Sequence, residues 1–186
     1  VVVIFSAGFA ESHEDGAAQQ AELVEVARAA NVRLLGPNCL GAFNLHTGFV
    51  GTFSQAFLTR SFVPGPVAIA SQSGACGAHL AYLFGQKGVG VGYWATTGNE
   101  SDIGVTECML WMAQRADVQV IVVFSAARLL FGVVVRGDVQ HAEQATGSGT
   151  HDHRRDPADD DDAECAENAG QLAAEKVRRR QRRRPD

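Results

Sequence analysis

Val67-Ala68-Ile69-Ala70-Ser71-Gln72-Ser73-Gly74 is the stretch whose reading decides the fold. Four apolar residues of strand length stop at two serines and a glycine, and a helix-forming segment, Ala75 to Gln86, follows at once. The first turn of a helix leaves backbone N–H groups unpaired, and the aligned peptide dipoles add positive potential there. Strand, tight turn and helix start therefore make a seat for a phosphate, a phosphoryl group or a carboxylate. Ser71 and Ser73 can add hydroxyl donors. Ser73 is equally a good helix-capping residue, and the local pattern taken alone favours the cap.

Outward from this unit the alternation is regular. A strand over Val67–Ala70, a helix over Ala75–Gln86 and a strand over Val89–Ala95 are followed by the loop Thr96–Glu100. A helix from about Asp102 to Arg115 and a strand over Val118–Phe124 complete the run. Strands alternating with helices predict a parallel sheet with right-handed crossovers, in which ligands bind outside the carboxyl ends of the strands. Upstream, Val1–Phe5 is a β-branched run that reads as a strand covered on both faces. A helix over Gly16–Ala30, ended by Asn31, and a short strand over Val32–Leu35 come next. Residues 42–65 read as an irregular connection with one strand near Phe49–Phe53, closed by Pro64-Gly65-Pro66 as a domain boundary. The polar loops Gly36–Gly41, Ser71–Gly74 and Gly98–Glu100 all fall at carboxyl ends of strands.

Composition narrows the class. At 186 residues, 46% hydrophobic and 20% charged, the chain is long enough for one large domain or two small ones. No apolar run approaches the ~20 residues that span a bilayer, so no membrane partner is expected. The start has neither an initiator Met nor a basic segment, so it is not expected to be a signal peptide, and its abrupt strand reads as a fragment. Cys39, Cys76, Cys108 and Cys165 form no C-x-x-C pair. No metal site or disulfide framework is expected, and a reducing cytoplasm is the default compartment. Residues 1–124 hold only 5 of the 16 Lys/Arg and 9 of the 21 Asp/Glu. The stretch 125–186 carries the rest, with blocks at Asp159–Asp162, Arg178–Arg180 and Arg182–Arg184, and reads as an aberrant or disordered tail. The acidic block would compete for the arginines, so nucleic acid is not an expected partner.

Four motifs occur in order: VVVIFSAGFAE (Val1–Glu11), GPNCLG (Gly36–Gly41), VAIASQSG (Val67–Gly74) and GNESDI (Gly98–Ile103). Over about residues 1–124 the chain resembles the NDP-forming acyl-CoA synthetases, the ADP-forming acetate–CoA ligase group related to the succinyl-CoA synthetase α subunit. The resemblance implies that residues 1–60 are the later part of a Rossmann-like CoA-binding domain. It makes residues 61–124 the start of a flavodoxin-like ligase domain. Such enzymes convert a carboxylic acid, CoA and ATP into acyl-CoA, ADP and phosphate through an acyl phosphate and a phosphohistidine. By resemblance Ser71, Ser73 and Gly74 face the phosphoryl group, and Pro37, Asn38 and Cys39 lie where the CoA thiol end meets the acyl phosphate.

The departures are equally specific. A Glu-containing loop should follow the third strand, but Ser125-Ala126-Ala127-Arg128 stands there. His141, His151 and His153 lack the surroundings of the phosphohistidine, so no catalytic residue is assigned. The ATP-grasp portion that would bring ATP and Mg²⁺ is also absent. The composition changes abruptly where the resemblance ends, as translation in a shifted frame would produce. The expected product is an inactive piece of a ligase that needs an ATP-grasp domain or subunit. The competing readings are a CoA-sensing regulatory module of a protein acetyltransferase and a non-enzymatic CoA-binding protein.

Single residues are read more plainly. Cys39 is expected to be structural or CoA-adjacent rather than nucleophilic, because no base lies near it in sequence. Cys76, Cys108, Trp94 and Trp111 are read as packing residues, His13 as exposed, and His46 and His79 as structural. Asn99 is expected to line the site and Asp102 to cap the following helix.

Overall fold

The computed structural model describes residues 1–57, 62–125 and 130–135. Strands β1 (Val2–Val3) and β2 (Leu34–Leu35) pair in parallel, with helix α1 (Glu14–Ala29) between them in sequence. His13 is the N-cap of α1: its Nδ1 accepts from Gly16 N at 2.9 Å. Asn31 follows the helix with φ 53°, the left-handed geometry that ends many helices. Val24 and Ala27 of α1 pack on Leu34 to make a small core.

The larger sheet has six strands: β3 (Gly41–Asn44), β4 (Phe49–Thr52), β5 (Val67–Ser71), β6 (Val91–Thr96), β7 (Val120–Ser125) and β8 (Leu130–Val135). Their order is β4-β3-β6-β5-β7-β8. β6, β5 and β7 run parallel, while β3 and β8 join antiparallel on either side. Helices α2 (Gly74–Gln86) and α3 (Val105–Ala113) cover opposite faces. The period-2 rule for strands explains the sorting. Val67 and Ile69 of β5 meet Leu80 and Phe84 of α2, whereas Ala68 and Ala70 meet Val105 and Met112 on the α3 side. All four β5 residues are fully buried. Because β5 connects to β6 on one side and β6 then crosses to β7 on the other, β5 and β7 flank the switch point of a doubly wound sheet.

Four expectations are corrected. Val1–Phe5 is not covered on both faces: Val1 is 82% and Val2 48% exposed, and among the described residues β1 pairs with β2 alone. The stretch 42–65 is less irregular than its mixture of Phe, Gly and Thr implied. It holds the hairpin β3–β4, and β3 bonds to β6 through Ala42–Ala95 and Asn44–Tyr93 pairs, so the larger sheet draws on residues from both sides of the expected 60/61 boundary. Ser125 closes β7 and the apolar run 130–135 pairs with that strand as β8, so these residues belong to the sheet although they fall within the expected tail 125–186. Residues 136–186, with their charge blocks and three histidines, lie outside the described residues. Finally, Trp94 is 1% exposed but Trp111 is 46% exposed, lying edge-on to Tyr93 with the Arg115 guanidinium over its ring.

Candidate anion site at three joined loops

The turn after β5 is built from inside. Ser71 is fully buried, and its Oγ donates to the Ser73 carbonyl at 2.6 Å. Its hydroxyl therefore shapes the turn and is spent on it. Ser73 is the N-cap of α2: its Oγ accepts from Cys76 N at 3.2 Å, and its carbonyl accepts from Gly77 N at 3.0 Å. The backbone N–H groups of Ser73, Gly74 and Ala75 have no partner among the described residues. Cap and anion seat coexist here, because the cap uses the third amide of the helix and leaves the first two open. Gly77 lets the helix start approach the sheet, since a Cβ there would lie 2.9 Å from both Ser71 Cβ and Thr96 Cγ2.

The other two loops close on this turn. Thr97 N and Gly98 N donate to the carbonyls of Ser71 and Gln72 at 2.9 and 3.1 Å. Gln72 N reaches across the switch point to Phe124 O at 2.8 Å. Asn99 N and Ser101 N donate to Pro37 O and Gly36 O, and Leu40 N donates to Thr96 Oγ1 at 2.9 Å. A Cβ on Gly74 would lie 2.6 Å from Leu40 Cγ, and one on Gly98 would lie 2.2 Å from Pro37 O. The loops 36–41, 71–74 and 98–101 thus form one continuous rim.

Within that rim the residues singled out by sequence divide. Gly74 and Ser73 stand at the open amides. Pro37 and Cys39 are buried, with the Cys39 thiol turned toward the carbonyls of Ile4 (3.4 Å) and Leu35 (3.8 Å). Burial pushes that thiol pKa upward, the opposite of what a nucleophile requires. Asn38 is the exposed member of the loop and has φ 58°. Asn99 bonds to Asn38, Glu11 and Gln20. Cys108 is held protonated to about pH 11 by burial and by the carboxylates of Glu107 and Glu100.

Asp102 is not the cap of α3. Gly104 occupies that position without a side-chain bond, and Asp102 instead accepts from Arg33 Nε and Leu34 N, both at 2.8 Å. Arg33 also reaches Glu107 at 2.8 Å. These pairs hold the Asp102 carboxyl below its ordinary range. Glu100 serves α3 in its place: its Oε1 accepts from Val105 N at 2.6 Å and from Thr97 Oγ1 at 2.8 Å. Sequence reading missed Glu11, Gln20 and Gly77. Glu11 had a readable signal, a carboxylate three residues beyond a turn glycine, where it can cap the turn amides. Gln20 had none, being one polar residue on a polar helix face.

A separate cavity of about 500 Å³ lies between β3, β6 and α3, lined by Phe43, Phe49, Tyr93, Cys108 and Trp111 among others. Among the described residues no group of three His, Cys, Asp or Glu is placed to hold a metal ion, and no helix is long and apolar enough to cross a membrane.

The doubly wound α/β sheet, with open helix-start amides at its switch point, has the architecture in which ligands bind outside the carboxyl ends of the strands. Comparison with known proteins narrows it. Residues 64–126 match the succinyl-CoA ligase-like flavodoxin domain. The chain is 34% identical over 123 residues to the α subunit of an ADP-forming acetate–CoA ligase II from Pyrococcus furiosus, which covers 66% of this chain and 26% of the relative. It is 37% identical over 128 residues to a trans-feruloyl-CoA synthase from an unknown prokaryotic organism, covering 66% and 18%. Among solved structures, a dinucleotide-forming acetyl-coenzyme A synthetase 1 of Ca. Korarchaeum cryptofilum, in complex with phosphate and ADP, superposes with TM-score 0.59 at 25% identity. That match covers 76% of this chain and 28% of the other. Over about two thirds of its length the chain is homologous to ADP-forming acyl-CoA ligases, and it spans about a quarter or less of the length of these relatives.

Proposed function

We propose that this chain is the CoA- and phosphoryl-handling part of an NDP-forming acyl-CoA ligase, making acyl-CoA from a carboxylic acid, CoA and ATP. The observation that carries the proposal is the set of open N–H groups at Ser73, Gly74 and Ala75, over which the 36–41 loop leans through Leu40. Fixed backbone donors at a helix start stabilise a phosphoryl group or an acyl phosphate without reorganising. Ser73 keeps the helix start in register, Ser71 holds the turn from beneath, and Gly74 allows the loop contact. Asn38, with Pro37 and Cys39 fixing its backbone, would meet the thiol end of CoA, and Asn99 steadies it.

In this reading Mg²⁺ and ATP are brought by an ATP-grasp domain or subunit acting as partner, as the family resemblance implies. No residue of this chain is assigned as the phosphohistidine, and the chain alone is expected to be inactive. In this reading residues 1–60 are the later part of the CoA-binding domain and residues 61–124 the start of the ligase domain, with the β3–β4 hairpin reaching across. The three described cysteines are free thiols, which fits a cytoplasmic protein.

The test is a titration of the ¹⁵N-labelled 186-residue chain with acetyl phosphate. The amide resonances of Gly74 and Ala75 should move most, and Ser73→Ala should weaken the response. Shifts spread over the surface, or confined to the opposite end of the sheet, would refute the reading.

A further inference from the structure

Asn99 has no side-chain donor left for a ligand. Its Nδ2 donates to Glu11 Oε2 and to Gln20 Oε1, the latter at 2.9 Å, and its Oδ1 accepts from Asn38 Nδ2 at 3.3 Å. A carboxamide has two N–H donors, and both are taken. Glu11 is anchored in turn, because its Oε1 accepts from Gly8 N at 2.6 Å and Phe9 N at 3.2 Å. The Asn99 bond, with the turn amides, outweighs an opposing desolvation and holds the Glu11 carboxyl at about 2, below 4.5. It is a carboxylate throughout the physiological range.

Backbone strain sits on both sides of this cluster. Asn38 and Glu100 have φ 58° and 55°, a region that side chains other than glycine disfavour. Such conformations persist where the surroundings over-determine them, and they gather at functional sites. Here four segments do so: the turn 8–11, helix α1 through Gln20, and the loops carrying Asn38 and Asn99. Asn38 N also donates to Ser6 O at 2.9 Å.

We propose that Glu11, Gln20 and Asn99 form a positioning clamp that holds exposed Asn38 in a preformed left-handed turn beside the open helix-start amides, for a ligand spanning both. The proposal rests on the acyl-CoA reading of the site. Its function is pre-organisation: a loop ordered in advance spares the ligand the cost of ordering it. The helix-start amides do not depend on the clamp, so phosphate and CoA should respond differently to its loss.

The experiment uses the full ¹⁵N-labelled chain as wild type, Glu11→Gln and Asn99→Ala, with Asn38→Gly as a fourth background. Three quantities are read: exchange of the Asn38 side-chain amide protons, affinity for CoA, and affinity for inorganic phosphate at Gly74 and Ala75. Both clamp variants should raise Asn38 amide exchange at least about tenfold and weaken CoA about five- to tenfold, with phosphate changed less than about twofold. With Asn38→Gly, which adopts the left-handed turn freely, Glu11→Gln should alter CoA affinity less than about twofold. Unchanged Asn38 exchange, or equal losses of CoA and phosphate affinity, would overturn the clamp. A wild-type chain that ignores CoA while the variants still show faster exchange would overturn the acyl-CoA reading and support the clamp as a loop-holding device.

Discussion

Two valine-rich strands start from nearly the same kind of sequence and end in opposite environments. Val67–Ala70 is fully buried, whereas Val1 and Val2 stand largely in solvent. The difference lies in neighbours. β5 has β6 and β7 at its edges and α2 and α3 on its faces; among the described residues β1 pairs with β2 alone, and α1 packs on Leu34 of β2 and on Ile4 rather than on Val2 or Val3. An unbroken apolar run reports that a strand forms but carries no information on how many elements cover it.

The largest expected effect sharpens that contrast. Ile69→Ala should cost about 3 kcal/mol in denaturant unfolding, the transfer and cavity penalty of a packed core. Val2→Ala should cost less than about 0.5 kcal/mol. Equal costs would mean that β1 is covered in solution by something as intimate as α2 and α3.

Next in size is the seam between the two regions. Gly98→Ala would place a Cβ 2.2 Å from Pro37 O at a residue with φ 59°. It should destabilise by about 1–3 kcal/mol and increase amide exchange in the loops 36–41 and 98–101. Retention of native exchange there would show that the loops join without this close approach. Smaller still, Ser73→Ala should lose about 1 kcal/mol of helix capping and weaken phosphate binding at the same time, read by thermal melting and titration together.

These residues also show where sequence reasoning succeeds and stops. The βαβαβ run from Val67 to Phe124 was legible because its apolar periods and turn glycines agree, and each element formed within a few residues of expectation. The three-loop rim followed from strand polarity alone. Of the hairpin, β4 answers the strand expected near Phe49–Phe53, but β3 was not foreseen, since Gly41-Ala42-Phe43-Asn44 has no clear strand signal of its own and pairs with both β4 and β6. The cap of α3 was misread for a similar reason. Asp102 has the right local position, but a long-range ion pair with Arg33 takes it, and Glu100 in a left-handed conformation fills the role. Contacts across 60 or more residues leave no mark in local pattern.

The smallest effect concerns the link between the regions through Glu11. Its carboxyl is lowered from 4.5 to about 2 in the folded chain. The stability it contributes is therefore fully present above pH 4.5 and is lost as pH falls toward 2. The side chain is exposed, so the effect is modest and weakens with salt. The stability difference between wild type and Glu11→Gln should be constant above pH 4.5 and shrink below it. A difference independent of pH down to 2 would show that the carboxylate charge does not hold the two regions together.

The most direct test of the central claim is a crystal structure of the 186-residue chain grown with CoA and inorganic phosphate. The account predicts phosphate within hydrogen-bond distance of Gly74 N and Ala75 N, with the thiol end of CoA against the Asn38 turn. Phosphate bound elsewhere while those amides face only water, or CoA seated in the cavity between β3 and α3, would contradict it.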